Sequence, residues 1–480
     1  MLFNSLNFLI FLPIVFLLYW FVFKPLKWQN LLVVVASYVF YGWWDWRFLI
    51  LIAITSLCSY LSGILLEENE GNRKRQKRIS AANIVLNLAI LGVFKYYNFF
   101  TGNISALCEG LGYKLDWVTL DIILPVGISF YTFQALSYTI DVYRGQIKAT
   151  HNIVEFFAFI SFFPQLVAGP IERATNLLPQ FQKDRQFDFA RAVDGCRQML
   201  WGFFKKMVVA DTCAGYANTI WGSYTEQTGF VLWIGALFFT FQIYCDFSGY
   251  SDIAIGTARL FGINLKRNFN VPYFSRSIPE FWRRWHISLM TWFRDYIYFP
   301  LGGSRCAKWK VIRNTIIVFG VSGLWHGANW TFVAWGLYHA FLIALFILLG
   351  INTKTKDVVA SGEVLPSMKE TFQMLVTFVL AVIGWVIFRA ESIDQAIDYL
   401  QKMFSSSALQ YSYFDGKRAL LFIFLMLIIE WVQRDKEHAL QFADNKFFQF
   451  RTIRWATYYL LIVAIVFFAG GNQTFIYFQF

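Results

Sequence analysis

Residues Phe8 to Phe23 carry no charged side chain, and predominantly apolar runs recur along the rest of the chain. The next are Asn30–Gly42, Phe48–Leu66 and about Ile79–Phe94. Further on come Ile122–Ile140, Ile153–Gly169, Phe230–Tyr244, Ile316–Leu324, Trp330–Leu349, Thr371–Phe388, Ala419–Trp431 and Trp455–Gly470. One soluble core cannot bury so much apolar surface. Hydrophobic residues make up 57% of the 480 and charged residues only 15%, where soluble domains carry roughly 25% charged. The pattern is that of a polytopic membrane protein. It excludes a disordered chain, a disulfide scaffold and a soluble nucleotide-binding fold.

A spanning helix needs roughly 20 apolar residues, and several of these runs are shorter. Some helices are therefore expected to cross only partway or to lie tilted. The expected architecture is all-α, with roughly ten to twelve spanning or re-entrant helices in a single membrane domain over residues 1–480. Met1 to Asn7 holds no basic residue and no small-residue cleavage site follows the first run, so that run reads as a retained span. The polar stretch Asn352–Lys369 reads as the longest flexible connection of the second half.

Charge sets the orientation. Lys24 and Lys27 follow the first run, and the segment Gly71–Arg78 carries five basic residues. With the N-terminus outside, both basic segments fall in the cytoplasm. The net charge of +12 reads as this bias plus attraction to anionic headgroups of the lipid bilayer, not as nucleic-acid binding. A basic mouth for an anionic cytoplasmic substrate is a second reading. The six cysteines form no CxxC pair and read as free thiols, with no metal or redox role.

Polar residues at membrane depth are costly and so mark function. In Val321–Trp330, Gly323 and Gly327 bracket Trp325-His326, which implies a helix break lining an internal cavity. His326 is then the side chain best suited to move a proton, with Trp325 and Asn329 beside it. In Ile278–Tyr296, Ser277 is placed to cap a helix, with Pro279 in its first turn and Glu280 three residues after the cap. At about 100° per residue, Trp282, Trp285, Leu289, Trp292, Phe293 and Tyr296 share one face, with Arg283 and Arg294 opposite. That pattern reads as an interfacial anchor with His286 on its aromatic side. Arg283, Arg284, Lys266 and Arg267 are placed to hold donor phosphates or lipid headgroups. In Gln242–Asp252, Asp246 must face inward or mark the membrane boundary, Ser248 adds a hydroxyl, and the segment reads as a cap for a helix starting near Ser251. Gln134 is a smaller polar insertion. His339, thirteen residues after His326, falls on about the opposite face of a continuous helix and reads as structural. His151 and His438 sit in loops and carry no functional signal.

No phosphate loop, GxGxxG, HExxH or GxSxG is present, and no metal-spaced cluster. This disfavours an ATP-driven pump, a metalloprotease and an ordinary serine hydrolase. A glycan or lipid-intermediate transporter is the alternative from another class. It would show repeats and paired intramembrane charges, and the runs display neither.

The Trp325-His326-Gly327 segment and the Phe281–His286 stretch resemble the membrane-bound O-acyltransferase family. Met1–Ser5, Tyr41–Trp44, Pro125–Gln134, Val167–Ile171, Tyr244–Asp252 and Phe475–Phe480 resemble its bacterial alginate O-acetyltransferase branch. A sister branch serves teichoic-acid D-alanylation, and others acetylate peptidoglycan or cellulose. The resemblance implies a ring of helices around a thin core pierced by a tunnel. It also implies that His326 is the family's invariant histidine and His286 its second. From the segments read above, Trp325, Asn329, Trp282, Trp285, Arg283, Gln134, Asp246 and Ser248 are candidates to line the tunnel or hold substrate. The implied donor is acetyl-CoA or an acyl-carrier thioester, with no bound cofactor and no metal. The implied acceptor is a polysaccharide or an extracytoplasmic acetyltransferase partner, served from a bacterial inner membrane.

Overall fold

The computed structural model describes residues 1–115, 123–351, 357–442, 450–471 and 473–476. Residues 352–356 of the expected flexible connection and the closing residues 477–480 lie outside these. Every regular element among the described residues is helical. Among the described residues six helices are long and apolar enough to cross a membrane: Trp46–Glu68, Arg73–Gly110, Gly229–Leu260, Trp330–Leu348, Met368–Arg389 and Arg451–Phe468. A shorter apolar helix, Leu6–Val22, accompanies them. The basic residues 73–78 form no loop. They are the first turns of the helix Arg73–Leu91, whose start is capped by Asn72 accepting from the Arg75 amide.

The chain forms two compact units, Met1–Val193 with Thr257–Lys266, and Asp194–Gly256 with Arg267–Phe480. In the first, Leu49–Glu68, Arg73–Leu91 and Ile128–Tyr143 pack together through a buried polar seam. Asn83 reaches Ser59 and accepts from Thr139 at 3.0 Å. Within it, Ile153–Ser161 ends at Phe162, and a short turn of helix, Phe163–Leu166, follows. That break frees carbonyls which lipid cannot satisfy. Gln134 and Gln165 both donate to the Phe159 carbonyl, at 2.7 and 2.9 Å.

The second unit is built on the 32-residue helix Gly229–Leu260. The hydroxyl-rich stretch suggests a helix start near Ser251. Instead this helix runs unbroken through that stretch, because its polar side chains find buried partners on neighbouring segments. Lys308–His326 and Trp330–Leu348 form a tight antiparallel hairpin. Gly323 and Gly336 make its close approach possible: a Cβ on either would overlap a carbonyl oxygen of the facing helix, that of Phe332 or of Phe319.

The connection expected to be flexible is tied down over its described part. Arg434 donates to the carbonyls of Val359, Ala360 and Glu363, and Trp431 to that of Val364. Arg276 and Arg284 both donate to the Asp357 carbonyl. Arginines that resemble surface charges in sequence thus serve as clamps on a polar backbone.

Candidate active site

All residues of this site belong to the second unit. The expected break after His326 is present. Lys308–His326 ends there, and Asn329 caps Trp330–Leu348 by accepting from the Thr331 amide at 3.0 Å. The Asn329 amide also donates to the Glu391 carbonyl, so both of its ends are engaged. A Cβ on Gly327 would strike the Phe332 ring. A larger residue at that point would have to displace this ring, which packs on Phe388.

The Ile278–Tyr296 segment differs from the single interfacial helix expected. Ser277 caps it and Glu280 lies in its first turn, as the capping pattern predicts. The helix then stops at Arg284, and a second, Ile287–Phe293, begins after His286. Trp282, Trp285, Leu289, Trp292 and Phe293 are all buried. The aromatic face packs on protein, where a surface anchor would meet lipid headgroups. Arg284 is buried and pairs with Glu280 at 2.9 Å, while Arg283 faces outward.

His286 itself occupies the left-handed region, with φ 44° and ψ 52°. That conformation costs a non-glycine residue on the order of 1–3 kcal/mol and persists only where the surroundings enforce it. Asn268 does so here. Its backbone carbonyl accepts from the Ile287 amide at 2.9 Å. Its side-chain oxygen accepts from the Ser288 hydroxyl at 2.5 Å, and its side-chain amide donates to Ser251 at 3.1 Å. A second backbone bond closes the other side, where the Asn270 amide donates to the Arg284 carbonyl at 2.9 Å. The strain is therefore held by the loop 268–270.

The two histidines meet around one indole. The His286 ring lies 5.9 Å from Trp325 and 4.6 Å from Phe247, and His326 lies 5.0 Å from Trp325. Trp335 and Phe388 complete the surroundings of His326, at 5.0 and 5.3 Å. Trp282 and Trp285 extend this aromatic cluster, Trp282 against Trp335 and Trp285 against Trp385. His339 also packs on Trp335, at 5.3 Å. Its expected place on the opposite face requires a continuous helix, and the break at Gly327 removes that premise.

Beside the aromatic cluster lies a set of buried charges that the sequence pattern does not announce. Lys205 pairs with Asp252 at 2.7 Å and approaches Glu430 at 3.9 Å. Lys206 pairs with Asp211 and Asp246, each at 2.7 Å. Tyr244 donates to Glu430 at 2.9 Å, and Asp246 also accepts from the Ile476 amide at 2.8 Å. Paired buried charges are thus present, so their expected absence does not separate an enzyme from a transporter. The lysine pair inside the apolar stretch Trp201–Ala210 is the available signal. His438, which carries no signal in sequence, is buried and lies 3.0 Å from Asp194. Gln134 belongs to the first unit, where it serves the Phe159 carbonyl.

Residues 146–383 match the model of the MBOAT, membrane-bound O-acyltransferase family. The chain is 42% identical to the probable alginate O-acetylase AlgI of Pseudomonas aeruginosa, over 86% of this chain and 76% of that protein. It is 34% identical to the peptidoglycan O-acetyltransferase of Helicobacter pylori, over 84% and 80%. With the teichoic acid D-alanyltransferase of Bacillus subtilis the identity is 30%, over 47% and 60%. The chain belongs to the membrane-bound O-acyltransferase family.

An O-acyltransferase joins a hydroxyl to an activated acyl group, so its site must accept a proton and stabilise a developing oxyanion. Two imidazoles around a buried indole offer both capacities. Among the described residues no group of His, Cys, Asp and Glu has the arrangement of a metal site.

Proposed function

We propose that this membrane-bound O-acyltransferase moves an acetyl group from a cytoplasmic thioester to a hydroxyl on the outer side of a bacterial inner membrane, for O-acetylation of an extracellular or cell-wall polysaccharide. The observation that carries the reading is the pair His286 and His326 on the shared Trp325 indole, in a chain 42% identical to an alginate O-acetylase.

In this reading His326 is the general base. Its imidazole nitrogen takes the acceptor hydroxyl proton as the oxygen attacks the thioester carbonyl carbon. An ester C–O bond forms, the C–S bond breaks, and the departing thiolate takes the proton back from the imidazolium. A positioned general base contributes about 10²–10⁴-fold, and alignment in a dry site supplies much of the remainder. His286, held rigid by Asn268, orients the donor or stabilises the oxyanion. The direct acceptor is the polysaccharide or a hydroxyl of an extracytoplasmic partner protein. The proposal includes one membrane domain with roughly ten to twelve spanning or re-entrant helices around a tunnel, the N-terminus outside and residues 71–78 cytoplasmic. Greater identity and coverage with O-acetylases favour acetyl over D-alanyl as the group moved.

The deciding experiment measures base-labile acetate on the surface polysaccharides of a strain lacking the protein, complemented with wild type or with His326→Ala at matched membrane levels. Restoration by wild type alone supports the proposal. Restoration by both makes His326 structural and brings a transport role forward.

A further inference from the structure

Trp325, Trp335 and Phe388 close on the His326 imidazole, each nearly edge-on, at interplanar angles of 79°, 89° and 80°. Trp335 is fully buried. It also abuts Phe388 at 5.1 Å, His339 at 5.3 Å and Trp282 at 5.5 Å.

An indole has one polar atom, Nε1, which can only donate. In Trp335 that atom is buried and has no hydrogen-bond partner among the described residues. An N–H taken out of water without an acceptor is costly, and buried groups left so are rare in folded proteins. Phenylalanine would supply an aromatic face here without that cost. The neighbouring rings do not answer the need. Phe388 and Trp282 carry no acceptor, and the imidazoles of His326 and His339 form no hydrogen bond with the indole. Ser322 adds a second group of this kind. It lies one helical turn before His326, where residues i and i+4 are neighbours. It is 1% exposed, and its hydroxyl has no partner among the described residues.

Trp335 is also held in register with His326. Gly336, the next residue, packs against the Phe319 carbonyl oxygen, and Gly323, three residues before His326, packs against that of Phe332. Neither helix of the hairpin can slide along the other without a clash. The indole N–H is therefore a fixed dipole beside the base, and fixed dipoles need no reorganisation as charge develops.

Acyl transfer from a thioester passes through a tetrahedral carbon. The acceptor oxygen bonds to the carbonyl carbon as His326 takes its proton, and the carbonyl π electrons move onto the oxygen. That oxygen becomes negative. When the C–S bond breaks the electrons return, and the thiolate takes the proton back from the imidazolium. A donor aimed at this oxygen in a water-excluded site stabilises the anion more than the neutral carbonyl. Base and oxyanion donor must flank one carbon, so the donor must stand next to the base. We propose that the Trp335 Nε1–H is the oxyanion donor of this site. His286 is then left to orient the thioester. The assignment rests on the acyltransferase reading above and deepens it.

The test removes the N–H and keeps the shape. 3-Benzothienylalanine, in which sulfur replaces the indole N–H, is placed at position 335 by stop-codon suppression, with tryptophan at the same codon as the control. Membranes from the complemented strain hold the full chain with its native acceptors. They receive acetyl-labelled acetyl-CoA as the probe, and base-labile label is followed across pH at matched protein levels. The analogue is expected to lower the maximal rate by about 10²–10³-fold, with the thermal midpoint and the pH profile unchanged. Trp335→Phe also lacks the N–H and is expected to show a loss of the same order. A rate within a few fold of the control in either variant overturns the assignment, because an indole that only packs is indifferent to the change. A lowered rate with a shifted pH profile overturns it too, since the indole would then act by tuning His326. Failure of the acyltransferase reading looks different: the tryptophan control itself transfers no label, and the assignment falls with it.

Discussion

The His286 imidazole lies 5.9 Å from the Trp325 indole, the ring that also abuts His326 at 5.0 Å. The two histidines reach it by different routes, one on a strained loop and one at a helix terminus. Their separate replacement therefore separates their roles. His326→Ala is expected to lower acetyl transfer by about 10²–10⁴-fold with membrane levels unchanged. His286→Ala is expected to lower it less, and to raise the donor KM if the residue orients the donor. Turnover by purified protein over a range of thioester concentrations checks both. Wild-type turnover in His326→Ala removes that residue from the chemistry.

The hairpin that carries His326 depends on two glycines. A methyl at Gly336 would overlap the Phe319 carbonyl oxygen, and backbone at a helix–helix contact cannot step aside cheaply. Gly336→Ala is expected to destabilise by about 1–3 kcal/mol or more through overpacking. Gly320→Ala is its control, because nothing lies within 4 Å of the added methyl there. Within the same hairpin that change should be neutral or mildly stabilising, given alanine's helix preference of about 1 kcal/mol. Thermal midpoints of the two variants in one detergent decide the matter; equal midpoints contradict the close-packing account.

Asp246 resembles a site residue in sequence, but its contacts are structural. It pairs with Lys206 and holds the Ile476 amide, while Phe475 packs on Tyr250 at 4.8 Å. Asp246→Ala leaves one buried lysine with half its partners and frees the tail at residues 473–476. Breaking a buried pair costs on the order of 3–5 kcal/mol. The expected outcome is a lower thermal midpoint and faster proteolytic cutting near residues 473–476, with the donor KM of the folded fraction unchanged. A changed KM at an unchanged midpoint would return Asp246 to substrate binding.

The His326 break is legible in sequence because two glycines around a Trp-His pair interrupt an apolar run, a costly arrangement unless the helix ends there. The Ser277 cap is legible for a similar reason, since capping is local. The break at His286 is hidden. The aromatic periodicity of Trp282, Trp285, Leu289 and Trp292 fits one helix, and the force that stops it comes from Asn268, a residue outside the pattern. The unbroken Gly229–Leu260 helix is hidden in the same way. Asp246 and Asp252 look like boundary residues until Lys205 and Lys206 are brought against them. Long-range partners decide these points, and a periodicity carries no record of them.

Glu280 ties the site segment to the clamped connection. It accepts from the Arg276 amide and side chain and pairs with Arg284 at 2.9 Å, and both arginines hold the Asp357 carbonyl. Burial works to raise the Glu280 carboxyl, but the hydrogen bonds from Arg276 and the charges of Arg284 and Arg276 outweigh it and hold the group below its ordinary value. A carboxyl depressed in the folded state stabilises fully above its unfolded value, about 4.3, and that contribution is lost as the pH falls through the lower folded value. Between pH 7 and 5 the clasp should therefore be insensitive to pH. Below about pH 4.3 wild type should lose it, seen as faster proteolytic cutting within residues 357–366. Glu280→Gln removes the titrating group and leaves Arg284 without its carboxylate, so cutting should be fast already at pH 7 and change less on acidification. Equal pH dependence in the two proteins would mean that another group governs the clasp.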